Sequence, residues 1–449
     1  MNQSTGVKIR LKVSSQEAQV LDGQSKMCNW LYNRLLEQAN TLRTRFVASD
    51  GQDEEAALTL YSRRGLRNLI PAQKGEFPFL KSVYSSPLKN AGLRLSRAIR
   101  AYQKSRRHER QGRGVNWPGF RSWKGKWFSL FYDEPWKGYK LKGRQLLLSL
   151  GVDQTGRRLR LKLELADRFP FPRNRVKSLR IVKEAIQFFA VFVVERTLPE
   201  TKVGNKMIAL DPNHKNLAYG VGSDGQAVEI ENCAILKTLD RRIDDLKARR
   251  DRCQRRSKLI RFEREDGSLH QHWQPSRRWR RYNQALDKVY SQRREQTKCY
   301  LYTVANALCR EYDVIALGDY TPRGGGLNTG MRRAMNNQSL IGRFKQTMAW
   351  VAQKSGKRYL EYNERGTTRG CHLCGAVVSG GLAPEVRQWN CPACGSSHIR
   401  DENAAQNGLL AVKKILLSGS DHRPVTIQRR CTWRVMPTGV LALPGGVAA

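Results

Sequence analysis

Negative charge is scarce in this chain. Its 449 residues carry 39 Asp+Glu against 81 Lys+Arg, a formal net charge of +42. Such an excess repels itself in a compact molecule unless a polyanion neutralises it, so nucleic acid is the expected partner, with strongly salt-dependent binding. The basic residues run along the whole chain rather than in one tail, which points to a channel or several contact surfaces. Long apolar runs are also missing. No stretch approaches the ~20 residues of a membrane span, and the opening MNQSTGVKIR lacks the apolar centre of a secretory leader. The expectation is a cytoplasmic, prokaryotic protein with no membrane partner. Disulfide spacing is absent too. Cys28, Cys233, Cys253, Cys299, Cys309 and Cys431 are scattered, which fits free thiols in a reducing compartment. The length excludes one ordinary core and implies two to four domains.

The other four cysteines are ordered. CHLC at 371–374 and CPAC at 391–394 form two Cys-x-x-Cys pairs separated by sixteen residues. Each pair makes a tight knuckle, and Cys371, Cys374, Cys391 and Cys394 together close a tetrahedron around one Zn²⁺, a zinc ribbon. Four thiolates fill that tetrahedron, so His372 and His398 are expected to be ordinary surface histidines and the zinc to hold shape only. Asp401 follows seven residues after the last cysteine, at a predicted helix start. A structural zinc beside such a carboxylate suggests a nuclease rather than a transcription factor.

Periodicity organises the rest. VKIRLKV at 7–13 alternates as a strand, and Ser14 with Glu17 forms a capping box for a helix striped by Val20, Leu21, Met27, Leu31 and Leu35. A second helix is expected from Ser86-Pro87, with Leu88, Leu95, Ile99 and Tyr102 on one face. Residues 15–115 therefore read as a basic helical insertion. From Asn116, strand-like runs at 145–150, 158–165 and 186–197 predict a small β-barrel that the N-terminal strand joins. Trp117, Trp123, Trp127, Phe128 and Trp136 alternate with Arg121, Lys124 and Lys126. They form either a base-stacking surface or barrel core, and for any single Trp core is favoured. A new domain opens near Lys206 with three short strands. Two long basic helices follow, striped by Leu236, Leu239, Ile243 and Leu246, then by Leu286, Val289, Leu301, Val304 and Leu308. Arg241, Arg242, Arg249, Arg250, Arg255 and Arg256 project from the first; on so basic a chain nucleic-acid contact outweighs a merely solvated face. Residues 314–317 predict a buried strand, and a helix through Leu340, Phe344, Met348 and Val351 stops at Gly356. The Gly/Arg segment 323–330 reads as a flexible loop, and 418–449 as a flexible tail.

Three carboxylates occupy element ends: Asp211 after one strand, Asp319 after another, and Asp401 opening a helix. A lone Asp there is more often a cap. Three on separable elements, with a zinc site before the last, suit two Mg²⁺ ions, which take oxygen ligands and cleave phosphodiesters.

IALDPN at 208–213, EYDVIALGDY at 311–320, SLIGRF at 339–344, NERGTTRGCHLCG at 363–375, CPACG at 391–395 and RDENAAQN at 400–407 complete an ordered set. With the basic helix pair, it resembles TnpB and the miniature type V CRISPR effectors, RNA-guided nucleases with a RuvC domain. The likeness runs over residues 6–415. It implies a multidomain α+β fold: a wedge β-barrel (1–14 and 116–203), a helical recognition lobe (15–115), an RNase H-like RuvC α/β domain (204–370 and 395–417) and an inserted zinc ribbon (371–394) that binds target nucleic acid. It also implies a guide RNA, a double-stranded DNA target read after a short flanking motif, antiviral defence, a monomer or homodimer, and cleavage by an Asp–Glu–Asp set with Mg²⁺ or Mn²⁺. Arg369 and Arg400 would contact phosphate, Arg400 at the scissile group. Two positions depart from the family. Asp211 is followed by Pro212-Asn213 instead of x-Gly, and Gly318 stands where the family has its Glu. Successive strand residues face opposite ways, so Asp319, taken as the middle acid, needs a twist at Gly318 to reach the metals. The other readings are a guided DNA binder that acts by occupancy with weak or no cleavage, and a guide-free transposase.

Overall fold

The computed structural model describes all residues except 1, 108–113, 124–125, 202–203, 214, 264–268, 321–339, 384–385, 417–422, 437 and 445–449. The Gly/Arg loop at 323–330, Lys124 and Ser339 lie outside the described residues. The chain divides into two compact units, Met1–Thr197 and Leu198–Ala449.

In the first unit, seven antiparallel strands form one sheet: β1 (Asn2–Lys12), β2 (Leu130–Tyr132), β3 (Tyr139–Lys142), β4 (Gln145–Val152), β5 (Arg158–Leu165), β6 (Val176–Glu184) and β7 (Gln187–Thr197), in the order β2-β6-β7-β1-β5-β4-β3. β1 lies at the centre. It pairs with β7 from Asn2 to Arg10 and with β5 at Leu11 and Lys12. A strand that changes partner along its length curls the sheet into a half-barrel. β1 leads directly into α1 (Ser15–Ala48), and Ser14 and Glu17 form both halves of the capping box, a device that stabilises a helix start by ~1 kcal/mol. Short helices α2 (Glu54–Tyr61), α3 (Gly65–Asn68) and α4 (Ile70–Glu76) lead to α5 (Ser85–Arg106). Leu31, Leu35, Leu88, Leu95 and Ile99 from the long helices join Leu146, Leu163 and Phe192 from the strands in one core. The segment between α5 and β2 is pinned along α1. The indole N–H groups of Trp117, Trp123 and Trp127 donate to Asn40, Ser25 and Asp22 at 2.8–3.0 Å. Phe128 is fully buried. Those rings pack into the unit; Trp136 is 52% exposed.

The second unit is a mixed seven-stranded sheet: β8 (Met207–Pro212), β9 (Ala218–Gly222), β10 (Gln226–Ile230), then, after two helices and a small β-ribbon, β13 (Val314–Gly318), β14 (Arg358–Tyr362) and, beyond the separate pair β15 (Gln388–Asn390) and β16 (Ser397–Ile399), β17 (Arg429–Met436) and β18 (Gly439–Pro444), ordered β14-β13-β8-β9-β10-β17-β18. The ribbon is β11 (Lys258–Glu263) with β12 (Leu269–Gln274), which joins α6 (Ala234–Gln254) to α7 (Arg277–Glu311). One face of the sheet packs Ile208, Leu210, Ile315 and Leu317 under α6, α7 and α8 (Ile341–Ser355). The other packs Met207, Ala209, Val314, Ala316 and Tyr362 under α9 (Arg400–Leu416), through Ala405, Leu409 and Val412. Gly356 ends α8 at φ +65°, a left-handed cap that glycine takes without strain.

The expected flexible tail at 418–449 is corrected here. β17 extends the sheet parallel to β10, and β18 folds back on it. Cys431 and Trp433 are buried, because RRCTWRVM alternates apolar and polar as a half-buried strand must.

Candidate functional site

β8 and β13 run parallel, with Met207, Ala209, Val314 and Ala316 level on the α9 face. Two residues further along each strand, alternation puts Asp211 and Gly318 on that same face. Asp211 is 4% exposed, and its Oδ1 is buried without a hydrogen-bond partner among the described residues. α9 lies close over this end of the sheet. A Cβ on Gly408 would collide with the Tyr362 ring, so glycine there sets the depth of the helix. Tyr362 in turn donates to the Leu210 carbonyl at 3.0 Å. Asp401 stands in the first turn of α9, near enough to act on Asp211. Its neighbour Glu402 anchors that turn. Glu402 takes two bonds from Arg430 on β17, at 2.9 and 3.0 Å, and one from the Tyr219 hydroxyl at 3.0 Å. The C-terminal hairpin therefore helps to place Asp401.

The third carboxylate in this cluster is Glu364. β14 pairs parallel with β13, Tyr362 opposite Gly318. Glu364 comes two residues after Tyr362 and returns to the same face. Its carboxylate occupies the space directly over Gly318: a Cβ added at 318 would run into Glu364 Oε2 and lie 3.0 Å from Pro212 Cδ. Asp319 takes the other course. It is exposed, its N–H donates to the Tyr362 carbonyl at 2.9 Å, and its Oδ1 accepts the Glu364 N–H at 3.1 Å. It holds the turn that carries Glu364. Sequence reasoning passed over Glu364, because its place depends on the pairing of β14 with β13: only with Leu360-x-Tyr362-x-Glu364 beside Val314-x-Ala316-x-Gly318 do the acid and the glycine share one face.

The electrostatics of the cluster are unfavourable without a cation. Burial, then Glu364 and Asp401, push Asp211 well above the usual carboxylate range, with Arg400 opposing. Burial, with Asp319 adding to it, pushes Glu364 up to about 7, against a backbone hydrogen bond from Tyr320 and the charge of Lys345. Glu364 Oε2, like Asp211 Oδ1, is buried without a partner among the described residues. Unpartnered buried carboxylate oxygens that repel one another fit hard divalent cations, which take oxygen ligands. Arg400 donates to the Ala383 carbonyl at 3.0 Å, and Arg387 lies 3.5 Å from Asp401 Oδ2.

The cysteine lobe differs in kind. All four sulfurs lie within 4.8 Å of one another, with Cys371–Cys394 at 3.7 Å and Cys374–Cys391 at 3.6 Å. Zn–S bonds of about 2.3 Å at tetrahedral angles put sulfurs about 3.8 Å apart, so this donor set fits zinc. Neither histidine stands free on the surface: His398 is buried and His372 half-buried. His398 is 4% exposed, meets Cys371 Sγ at 3.1 Å and packs against Trp389. Burial and His372 hold its ring below the usual range. His372 bonds Asn403 Oδ1 through its N–H at 3.0 Å and Nδ1 at 2.9 Å. The Asn403 amide reaches the Thr367 and Gly370 carbonyls, and Asn407 reaches the same two at 2.8 and 2.7 Å. Two asparagines one turn apart on α9 thus fasten the first knuckle to the helix that carries Asp401.

On α6 and just past it, Arg241, Arg242, Arg249, Arg255 and Arg256 are exposed, whereas Arg250 is half-buried against Trp279 and paired with Asp251. Arg369 is exposed on the segment between Glu364 and Cys371.

A family model described as the Cas12f1-like TNB domain matches residues 342–407, from α8 through the cysteine lobe to Asn407. Over that segment the chain is similar to TnpB and the miniature type V CRISPR effectors. A TnpB-like protein of Acanthamoeba polyphaga mimivirus is 28% identical over 137 residues, 29% of this chain and 26% of that protein. The CRISPR-associated DNA-binding protein Cas12m of Allomeiothermus silvanus is 27% identical over 136 residues, 29% of this chain and 24% of its own length. The chain thus matches about a quarter of the length of these relatives. Among solved structures, a Cas12f1–sgRNA–target DNA complex aligns with a TM-score of 0.56 at 9% identity, over 91% of this chain and 98% of that one. That likeness is one of fold.

Proposed function

We propose that this protein is an RNA-guided endodeoxyribonuclease whose cleavage centre is Asp211, Glu364 and Asp401. The observation that carries the reading is the Glu364 carboxylate lying over Gly318, on the face of Asp211 and under the helix of Asp401. An acid absent from one strand is supplied by its parallel neighbour. The mixed sheet with α9 on one face is then the RNase H-like domain, the half-barrel the wedge, and α1–α5 the recognition lobe. When bound, divalent cations supply an activated water and charge stabilisation for the leaving oxygen. The chain's own residues set the geometry. Asp211 and Glu364 offer the buried oxygens, Asp401 approaches from the helix, Asp319 holds the Glu364 turn, and Glu402–Arg430 fixes the helix start. Arg400 faces the cluster and is suited to a phosphate. The cysteine lobe would hold one Zn²⁺ and take part by position alone. Guide pairing would read sequence while the protein reads duplex shape and a short motif; the +42 charge suits an RNA with a DNA duplex.

Gly318 was the main support for a DNA binder without cleavage, and Glu364 removes that support. The test is direct. Purify the protein from a host carrying its native locus, sequence the bound RNA, and assay nicking of a matched duplex with Mg²⁺. A discrete RNA and guide-dependent nicking are expected. No discrete RNA would overturn the guided reading, and guide-dependent binding without any nicking would overturn the nuclease.

A further inference from the structure

Trp136 combines two unusual properties. It is 52% exposed, and its φ is +70°, in the left-handed region that bulky residues avoid. The loop enforces this conformation. The Trp136 N–H donates to the Tyr139 carbonyl at 2.9 Å, and the Gly138 N–H to the Glu134 carbonyl at 2.8 Å. Tyr84 reaches Glu134 Oε2 at 2.6 Å, and Ser149 Oγ reaches the Lys137 carbonyl at 2.6 Å. A strained residue that its surroundings over-determine, with its ring in solvent, is a mark of use. Every other tryptophan between α5 and β2 has its indole N–H bonded to α1; Trp136 lies beyond that segment and lines an open cavity instead.

That cavity, about 660 Å³, has an apolar floor from Leu147 and Leu150 of β4. Lys81, Lys137, Lys140, Arg158 and Arg160 surround it, and no carboxylate lines it. None of these five cations forms an ion pair among the described residues. That volume has room for a base with its sugar. A flat π-face, an apolar floor and unneutralised cations at the rim are what an unpaired nucleotide requires: stacking for the base, charge for the flanking phosphates.

We infer that Trp136 and this cavity form a binding site for one unpaired nucleotide, which stacks on the indole while Lys137, Lys140, Arg158 and Arg160 take its phosphates. The inference rests on the nucleic-acid reading above and adds a site outside the carboxylate centre.

The full-length protein, stripped of co-purifying nucleic acid at high salt and kept free of Mg²⁺, is given a 20-nucleotide single strand carrying 5-iodouridine, as RNA and as DNA, and a blunt fully paired duplex. After irradiation, the crosslinked peptides are mapped by mass spectrometry. A crosslink at Trp136 from a single strand, absent from the duplex, is expected; RNA and DNA arms tell which strand is the source. Trp136→Phe should keep the affinity. Trp136→Gly, which accepts the φ without strain, should lower single-strand affinity about five- to hundredfold with the salt slope unchanged. Lys137→Ala and Arg160→Ala should each reduce that slope by about 1. If the wild type binds no nucleic acid, the proposed function falls with this one. If it binds, yet no crosslink maps to 133–140 and Trp136→Gly binds as tightly as the wild type, the nucleotide site alone is overturned. A crosslink of equal yield from the paired duplex also overturns it.

Discussion

The four cysteines come from two short knuckles, and their sulfurs already stand at the spacing of a zinc tetrahedron. The carboxylates of Asp211, Glu364 and Asp401 come from two strand ends and a helix, and they repel one another across a buried space. The first site is local and closed. The second is assembled from separate elements of the sheet and α9, with buried oxygens left unpartnered among the described residues. A local site is legible from spacing, because ligands three residues apart must share a knuckle. An assembled site depends on which strand lies beside which, and on which face each residue takes. The same difference governs how each site should fail when damaged.

The largest expected effect is on chemistry at the assembled site. Glu364→Gln should reduce guide-dependent nicking at least a hundredfold, as should Asp211→Asn and Asp401→Asn, with duplex binding retained. Asp319→Asn, which can still receive the Glu364 N–H, should change the rate less than about threefold. Equal losses in Glu364→Gln and Asp319→Asn would put the acid back at 319. A relocation sharpens the point. Gly318→Glu alone collides with Glu364, whereas Gly318→Glu with Glu364→Gly moves the carboxylate to the adjacent strand and should recover part of the nicking.

Next comes the local site. Cys391→Ser should lose the zinc by metal analysis and open the lobe at 371–399, read as faster hydrogen exchange there. Structural zinc contributes on the order of 10 kcal/mol to small domains, so the lobe should not survive without it. The carboxylate face of the sheet, which has its own core in Ala209, Val314, Ala316 and Leu409, should keep its protection. A variant with full zinc content would break the four-cysteine assignment.

Much of this is legible in the sequence, and what is not has a common cause. The zinc ligands, the capping box at Ser14 and the left-handed stop at Gly356 are local signals. Asp211 and Asp401 read as acids at element ends, and they lie near each other. Glu364 was missed because it stands beyond the end of a short edge strand, where a charged residue reads as loop. Only the pairing of Tyr362 with Gly318 brings it over the glycine. The C-terminal hairpin was missed because glycines and prolines around 418–424 and 438–446 resemble a linker, and because its partner strand lies some two hundred residues earlier. His398 was misplaced because ligand counting shows which atoms bind the metal, not which rings pack behind the sulfurs.

A smaller effect tests the link between the two sites. Asn403 ties His372 and the Thr367 and Gly370 carbonyls to α9. Asn403→Ala leaves Asn407 to hold both carbonyls, so a loss of about 1–2 kcal/mol is expected, with zinc content intact. Nicking should slow about tenfold if the lobe positions Asp401. An unchanged rate with lowered stability would make the lobe a neighbour rather than a support.

The smallest effect is one of pH, and it asks whether the assembled site is strained without metal. Burial and Asp319 raise Glu364 from an ordinary 4.5 to about 7, and Asp211 shifts in the same direction through burial, Glu364 and Asp401. A carboxyl with a raised folded-state pKa keeps its proton in the folded chain after the unfolded chain has lost it. Between about pH 4.5 and 7 the folded state therefore binds more protons, and stability falls as pH rises. With zinc present and Mg²⁺ absent, the melting temperature of the second unit should decline across that window. Mg²⁺ should raise it more at pH 8 than at pH 5.5, because cation binding requires the ionised carboxylates. Glu364→Gln should flatten the decline and shrink the Mg²⁺ response together, since Glu364 contributes to both; Cys391→Ser, which damages the other site, should do neither. If Mg²⁺ raised the melting temperature equally at both pH values in the wild type, the carboxylates would not be the groups that hold it.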